Sequence, residues 1–361
     1  MNDGLSRRSF LKRVGAAAAV AAAPGGLARG AEPAMEKTKA KPILGSWISI
    51  LWSDRRHFYW NGTCAKFTAD EWEYSVEEVA QIGMKYLVLL ATVEGGKAFV
   101  DTPLAPKAPE LACADPLEAM LSSADKHGVS FFISTGFFGG WLGGKTLTDA
   151  TIARGRFDIM ARVAEKYAHH KSFYGWYLPD EPGINPYYSD EFLESVALYG
   201  REGRRLVPRA KILIAPYGTH SAVCDDKYVG QLQRLDADIV AYQDEVGCRR
   251  MTPIESARAY EKLRQAHDKV PQRALWADVE VFDWEGPPNL PTSPLIPAPF
   301  ERIEKQLEAV APYVDVITIY QYQGLMSQPG SKAPTGHRDA TKLYRDYVSW
   351  LRVTILGGRA V

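Results

Sequence analysis

The chain alternates between short, nearly continuous apolar runs and longer amphipathic segments. The apolar runs are rich in β-branched and aromatic residues, which is typical of strands buried on both faces. Eight such runs occur, at 43–50, 86–93, 130–137, 173–178, 211–217, 238–243, 274–282 and 315–322. The segments between them place apolar residues at three- and four-residue spacing, which predicts helices with one buried face. These segments cover 69–82, 115–126, 148–168, 190–206, 227–235, 254–268, 300–311 and 338–353.

Strand–helix alternation predicts a parallel sheet covered by helices. Eight repeats in a chain of 361 residues fit a closed (β/α)8 barrel better than an open doubly wound sheet. A doubly wound sheet that binds a dinucleotide would carry a glycine-rich turn after its first strand, where this chain has LWSDRRHFYWNG. We therefore predict the α/β class, with a single (β/α)8 barrel over residues 40–356. The proline-rich stretch at 285–300 is interpreted as a long loop after the seventh strand.

The first 35 residues are set apart from the fold by a targeting pattern. Arg7 and Arg8 stand in SRRSFLK and precede the weakly apolar run VGAAAAVAAAPGG. This segment, 1–35, resembles a bacterial twin-arginine export signal. The resemblance implies a periplasmic or secreted protein. Since the apolar run is short and rich in alanine, no stable membrane span is expected after cleavage.

Composition excludes some partners and leaves other questions open. The 43 basic and 43 acidic residues balance to a formal net charge of zero, which argues against nucleic-acid binding through bulk charge. The four cysteines, at 64, 113, 224 and 248, have no zinc-type spacing, and both disulfides and free thiols are compatible with the sequence. Nothing in the sequence indicates an oligomeric state or a cofactor.

In a (β/α)8 barrel the chemistry lies at the C-terminal ends of the strands. These predicted ends collect carboxylates and aromatic rings, whereas the opposite ends carry short turns. Glu181 follows the fourth strand and Glu280 ends the seventh, so the two face each other across the predicted barrel mouth. Hydrolysis of a glycosidic bond needs one carboxyl group to protonate the departing oxygen and a second to attack the anomeric carbon or activate water. We predict these two glutamates as the catalytic pair.

Other side chains at the same rim are predicted to contact a sugar through flat rings or polar groups. They are Trp47, Phe138, Asp180, Gln243, Glu245, Trp284, Tyr320 and Tyr322. Tyr320 could in addition hydrogen-bond the nucleophile. Asp278 has the same facing as Glu280, two positions earlier in the strand, and is expected to support it.

The strand-four acid before proline in FYGWYLPDEP, together with a second glutamate in WADVEVF, resembles the retaining (β/α)8 glycoside hydrolases. With the aromatic first strand, residues 40–355 resemble the DUF4434 family, proteins regarded as candidate barrel glycoside hydrolases. The resemblance implies Glu181 as acid/base and Glu280 as nucleophile. Well-studied retaining barrels usually have asparagine before the acid, where this chain has Asp180.

Alternatives remain at this stage. Asp180, Glu181 and Pro182 could simply begin a helix, Glu280 could pair with an arginine inside the barrel, and Asp244–Glu245 could supply the second carboxylate. The barrel could bind carbohydrate without catalysis, or it could be a metal-assisted hydrolase or lyase. A metal set drawn from His57, His220 and Asp244 is conceivable, but no spacing requires it, and the side chains of the adjacent His169 and His170 are expected to diverge. We therefore predict no metal.

Overall fold

The computed structural model describes residues 40–181, 183–355 and 357. The predicted export signal, 1–35, lies outside the described residues. Eight parallel strands form a closed barrel in which each strand pairs with its sequence neighbours and the last pairs with the first. They are β1 Gly45–Ile48, β2 Tyr86–Leu89, β3 Ser130–Ser134, β4 Phe173–Leu178, β5 Lys211–Ile214, β6 Ile239–Gln243, β7 Ala274–Glu280 and β8 Val316–Tyr320. The predicted (β/α)8 fold class is confirmed.

One outer helix follows each strand and carries its number. The helices are α1 Ala69–Gln81, α2 Pro116–His127, α3 Ala150–Tyr167, α4 Asp190–Leu206, α5 Asp226–Arg234, α6 Pro253–Asp268, α7 Phe300–Val310 and α8 Ala340–Trp350. The residues that begin several of these helices are recognisable in the sequence. Thr68 and Thr252 form capping boxes with glutamates three residues later, and Pro116 and Pro253 occupy first-turn positions that lack a hydrogen-bonding need.

Additional elements lie in the loops at the C-terminal rim. A short helix, Phe58–Cys64, follows β1, and a hairpin of Val93–Glu94 with Lys97–Ala98 follows β2. After β7, Phe282–Trp284 pairs antiparallel with Leu295–Pro297. The proline-rich stretch is therefore folded back against the end of β7, which gives the long loop an ordered base beside Glu280.

Aromatic side chains fill the barrel towards the N-terminal ends of its strands. The Tyr86 and Trp276 rings lie 4.7 Å apart between centroids, and the Phe132 ring lies 6.0 Å from Trp276. Above them, the ring of Trp47 meets Tyr177 edge to face at 6.0 Å. The barrel interior is thus a packed core rather than a channel, and polar chemistry is left to the C-terminal rim.

All four cysteines, Cys64, Cys113, Cys224 and Cys248, are free thiols, so the question of a disulfide pairing is settled against a bridge. Within residues 40–181 and 183–355, no helix combines the length and apolar character needed to cross a bilayer.

Candidate active site at the C-terminal rim

Glu280, the last residue of β7, is covered by the loop that follows β6. Its side chain is buried, with 5% of the residue exposed, and its Oε2 accepts a hydrogen bond from the backbone N–H of Cys248 at 2.7 Å. The loop approaches so closely that a Cβ on Gly247 would lie 2.8 Å from the Cβ of Glu280. Glycine at 247 is therefore required for the loop to close over this carboxyl group.

Glu280 belongs to a cluster of buried carboxyl groups with Asp244 and Asp278. Asp244 accepts the backbone N–H of Glu280 at 3.0 Å, and its own N–H donates to the Asp278 carbonyl, also at 3.0 Å. Burial, followed by the charge of Asp244, raises the pKa of Glu280 to about 8. Burial also raises the pKa of Asp244, and it raises that of Asp278 well above the usual range. The cluster therefore retains protons near neutral pH, because adjacent buried carboxyl groups cannot all ionise.

Glu181 acts on the same cluster from the other side of the barrel. It is half-buried and stands three residues beyond the end of β4. After burial, the charges of Glu280, Asp244 and Glu181 are the causes that raise the pKa of Asp278. Both predicted catalytic glutamates are thus close enough to Asp278 to interact with it electrostatically. The supporting role of Asp278 stays a prediction.

Helix α7 supports the cluster with two residues that the sequence did not single out. Arg302 donates to the carbonyl oxygens of Glu280 at 2.9 Å and Phe282 at 2.6 Å. Gln306 donates to Asp244 Oδ2 at 2.7 Å and to the Glu280 carbonyl at 3.1 Å. The signal available was a pair of polar residues at i and i+4 on the buried face of an amphipathic helix.

A buried polar chain leads from the first strand to Tyr320 at the end of β8. The Tyr320 hydroxyl lies 2.8 Å from Nε2 of His57, and His57 Nδ1 lies 3.2 Å from the Ser49 hydroxyl. Ser49 in turn donates to Gln323 Oε1 at 3.1 Å. Tyr320 is the Cα partner of Glu280 in the barrel register. His57 therefore orients a phenol group beside the candidate nucleophile.

Three aromatic rings form a contiguous wall at the rim. Phe137 and Trp141, both after β3, lie 4.3 Å apart, and Trp52, after β1, meets them at 5.8 and 6.4 Å. Trp52 meets the other two rings edge to face, and Trp141 is the ring of the three that is half-buried rather than buried. The sugar contacts predicted from the sequence were instead Trp47 and Phe138.

Five predicted sugar contacts are corrected by the structure, the first of them Asp180. Its carboxylate forms a buried ion pair with Arg156 of α3 and accepts the backbone N–H of Leu142 at 3.1 Å. Arg156 also donates to the carbonyls of Phe138 and Gly140, each at 3.0 Å. Asp180 therefore braces the loop that carries Trp141, which leaves its carboxylate unsuited to binding a sugar hydroxyl.

Glu245, the second correction, is fully buried at 0% exposure. Its carboxylate accepts the backbone N–H groups of Gly218, Thr219 and His220 and lies 2.6 Å from His220 Nδ1. These hydrogen bonds fix the loop after β5 on its buried side. This arrangement also separates the conceivable metal set, because His57 and His220 bond to different partners and are not brought together with Asp244.

Phe138 and Tyr322 are the third and fourth corrections, and Trp47 is the fifth. The ring of Phe138 packs against Gly155 of α3, where a Cβ would lie 2.2 Å from it. Tyr322 is buried beside Glu78 of α1. Burial, followed by the charge of Glu78, raises the pKa of the Tyr322 phenol well above the usual range. Side-chain alternation breaks down where a strand ends, so both rings face the outer helices rather than the mouth.

The other predicted sugar contacts lie in different surroundings. Trp47 is 1% exposed and packs inside the barrel, so it is a core residue and not a sugar platform. Trp284 donates its indole N–H to the Gly247 carbonyl at 3.0 Å and thereby anchors the loop over Glu280. Gln243 is the Cα partner of Asp278 and donates to the Ala215 carbonyl at 3.3 Å. Sugar contact by Trp284, Gln243 and Tyr320 stays a prediction.

Solved structures with the same fold include several carbohydrate-active proteins. A candidate α-L-fucosidase from Bacteroides thetaiotaomicron VPI-5482 aligns with a TM-score of 0.68 at 17% identity, over 92% of this chain and 100% of that chain. An endo-β-1,4-mannanase from Thermotoga petrophila aligns at 0.52 and 12% identity, over 88% and 77%. A GH5_18 protein from Streptomyces cattleya aligns at 0.53 and 15% identity, over 86% and 81%. At these identities the likeness establishes the barrel fold alone.

No curated protein matches the chain. The family model described as a domain of unknown function, DUF4434, matches residues 43–333. That range spans more than half of the chain and contains every barrel strand and both candidate glutamates. The chain therefore belongs to the DUF4434 family.

Proposed function

We propose that this protein is an exported glycoside hydrolase of the retaining type. The observation that carries the proposal is the placement of Glu280 at the end of β7 and of Glu181 three residues beyond the end of β4, on facing walls of one barrel rim. Two carboxyl groups on facing strands provide the acid and the nucleophile that glycoside hydrolysis requires. The barrel likeness to carbohydrate-active proteins supports the same class.

In the proposed mechanism Glu280 attacks the anomeric carbon while Glu181 transfers its proton to the departing glycosidic oxygen. The glycosidic bond breaks as a covalent bond forms between the sugar and Glu280. Water then attacks the anomeric carbon, Glu181 accepts a proton from that water, and the Glu280 carboxylate leaves. The configuration of the product matches that of the substrate because two inversions occur.

Glu280 must be ionised for the attack, and its surroundings determine when this happens. Its Oε2 accepts the Cys248 N–H, which favours the charged form, whereas Asp278 Oδ1 has no hydrogen-bond partner among the described residues. We infer that Asp278 retains its proton to higher pH than Glu280 does, so that Glu280 ionises first as the pH rises. A protonated Asp278 also removes one negative charge beside Glu280.

Substrate binding is assigned to the wall of Trp52, Phe137 and Trp141, with Tyr320 as a polar contact oriented by His57. Trp52 and Phe137 are buried, at 6% and 5% exposure, so we assign the flat apolar face for a pyranose to the half-buried indole of Trp141, which they support. The loop that carries Trp141 is held by the ion pair of Asp180 with Arg156. The role of Asp180 in substrate binding is therefore indirect.

The test is hydrolysis by the purified mature protein of a panel of aryl glycosides and polysaccharides. We expect release of product with retained anomeric configuration, observed by NMR immediately after mixing. We also expect a 2-deoxy-2-fluoro glycoside of the active sugar to label Glu280, identified by mass spectrometry of the peptides. Inverted product, or labelling of Asp244 instead, would reject the assignment of roles.

A non-catalytic sugar-binding barrel is the second candidate, favoured by the 5% exposure of Glu280 and its raised pKa. Calorimetry against the same panel separates the two: binding without turnover supports this candidate. Export is tested separately by replacing Arg7 and Arg8 with lysine, which should leave the precursor inside the cell.

A further inference from the structure

We propose that Glu118, His169 and His170 form a zinc-binding site between helices α2 and α3, on the outside of the barrel and separate from the rim. Glu118 lies in the first turn of α2, and the two histidines follow the end of α3. Their ligand atoms all lie within 4.8 Å of one another. Contrary to the expectation that these adjacent histidines diverge, their rings lie 4.2 Å apart between centroids.

His170 has the surroundings of a metal ligand. It is 5% exposed, and its Nδ1 lies 2.9 Å from Asp125 Oδ2. Histidines that bind metals commonly donate their second ring N–H to a carboxylate, which fixes the tautomer. Asp125 is itself held in place, since its Oδ1 accepts the backbone N–H of Ser172 at 2.6 Å.

With Nδ1 donating to Asp125, the Nε2 lone pair of His170 faces the carboxylate of Glu118. The two Glu118 oxygens lie 3.2 and 3.3 Å from Nε2. Either a proton on the imidazole or a bound metal ion would join the two groups at this separation. Zinc bonds of roughly 2.0–2.2 Å in tetrahedral geometry place two ligand atoms about 3.3 Å apart, which agrees with these distances. His169 is exposed beside them and supplies a third ligand, leaving the fourth position to water.

The turn that carries the histidines is also held by Arg209, which lies in the loop between α4 and β5. Arg209 donates to the carbonyl oxygens of Ala168 at 2.7 Å and His170 at 3.0 Å. A metal bound here would join α2 to α3 by direct bonds to both. It would therefore stabilise the folded state by mass action, since the unfolded chain has no assembled site.

The experiment uses mature protein without a histidine tag, treated with chelator, dialysed and titrated with Zn²⁺ in a calorimeter. We expect one equivalent to bind, a higher melting temperature with Zn²⁺, and visible absorption of a four-coordinate ion when Co²⁺ replaces it. Asp125→Asn should weaken binding about 10- to 100-fold. His169→Ala removes an exposed ligand without disturbing the core and should abolish the cobalt absorption.

His127→Ala is the matched control, because His127 is an exposed histidine at the end of the same helix α2. It should bind as the unmodified protein does. Failure to bind Zn²⁺, or binding unchanged by His169→Ala, would overturn the proposal and leave His170 as a protonated link between Asp125 and Glu118. Loss of binding in Cys224→Ser would equally overturn it, because the partly exposed thiol would then be the zinc ligand.

Discussion

Glu280 on β7 and Tyr320 on β8 are Cα partners, and the Tyr320 hydroxyl is held by His57 Nε2 at 2.8 Å. Residues in register on neighbouring parallel strands face the same side of the sheet. The candidate nucleophile and an oriented phenol therefore share one sector of the rim, and each can be altered without removing the other.

Tyr320→Phe tests the phenol. We expect kcat to fall roughly 10- to 100-fold with the fold intact, because a hydrogen bond to a charged group contributes about 1.5–3 kcal/mol. The measurement is steady-state hydrolysis of the active glycoside with circular dichroism of each protein. Tyr59→Phe is the control, since Tyr59 is a rim phenol that donates to Glu285 at 2.6 Å. Equal kinetics for Tyr320→Phe and the unmodified protein would remove Tyr320 from the mechanism.

The Glu181→Gln and Glu280→Gln variants should stay folded. The rate of hydrolysis should fall by about 10²–10⁴-fold in each of them. Glutamine keeps the size of the side chain, and at Glu280 it replaces a group that is protonated at neutral pH. The two roles are separable, because Glu181→Gln should be least impaired on aryl glycosides whose leaving group departs without protonation. Glu285→Gln, at an exposed rim position, is the control. Substantial activity in both variants would contradict the assignment.

The pH dependence of kcat/KM reports the ionisation of Glu280. The nucleophile must be ionised, and its pKa is raised to about 8, so activity should rise as the pH increases through about 8. Asp244→Asn removes the neighbouring charge that raises the pKa of Glu280 and should move this acid limb to lower pH. A rate that instead falls as the pH rises through 8 would identify Glu280 as the proton donor.

The buried pair of Arg156 with Asp180 predicts a large loss of stability on breaking it. Arg156→Leu leaves a buried carboxylate and should lower the free energy of unfolding by about 3–5 kcal/mol. The double change Arg156→Leu with Asp180→Leu should recover much of this loss, because neither charge is then left unpaired. Urea unfolding of the set measures the effect, and additive losses in the double variant would count against a coupled pair.

Glu78 should make stability depend on pH. It is 3% exposed, and burial raises its pKa from 4.5 to about 7. Between these values the folded protein binds more protons than the unfolded chain, so this residue's contribution to stability falls as the pH rises. Glu78→Gln should therefore be more stable than the unmodified protein by about 1–3 kcal/mol at pH 8 and nearly equal at pH 4. Thermal unfolding at both pH values checks this, with Glu77→Gln on the same helix as control.

Hydrophobic patterning was sufficient for the architecture. Strands buried on both faces read as continuous apolar runs, and each covering helix has one apolar face, so all eight strand–helix repeats could be located from local sequence. The barrel then places every strand end at one rim. This is why Glu181 and Glu280 could be proposed as partners although they are far apart in the chain.

Side-chain partners required the tertiary structure. Asp180 is engaged by Arg156 on the preceding outer helix, α3, and Glu245 by the backbone of a neighbouring loop. Neither contact has a local signal, because it depends on how separate elements pack. The sequence also could not decide whether Phe137 or Phe138 lies at the rim. The alternation of side chains between the two faces of a strand ends with the strand at Ser134, before both residues. Sequence alone determined the barrel, and the rim at which all strand ends meet, through the periodicity of burial. Only the tertiary structure decided which rim side chains remain available for chemistry, because long-range hydrogen bonds and burial occupy the others.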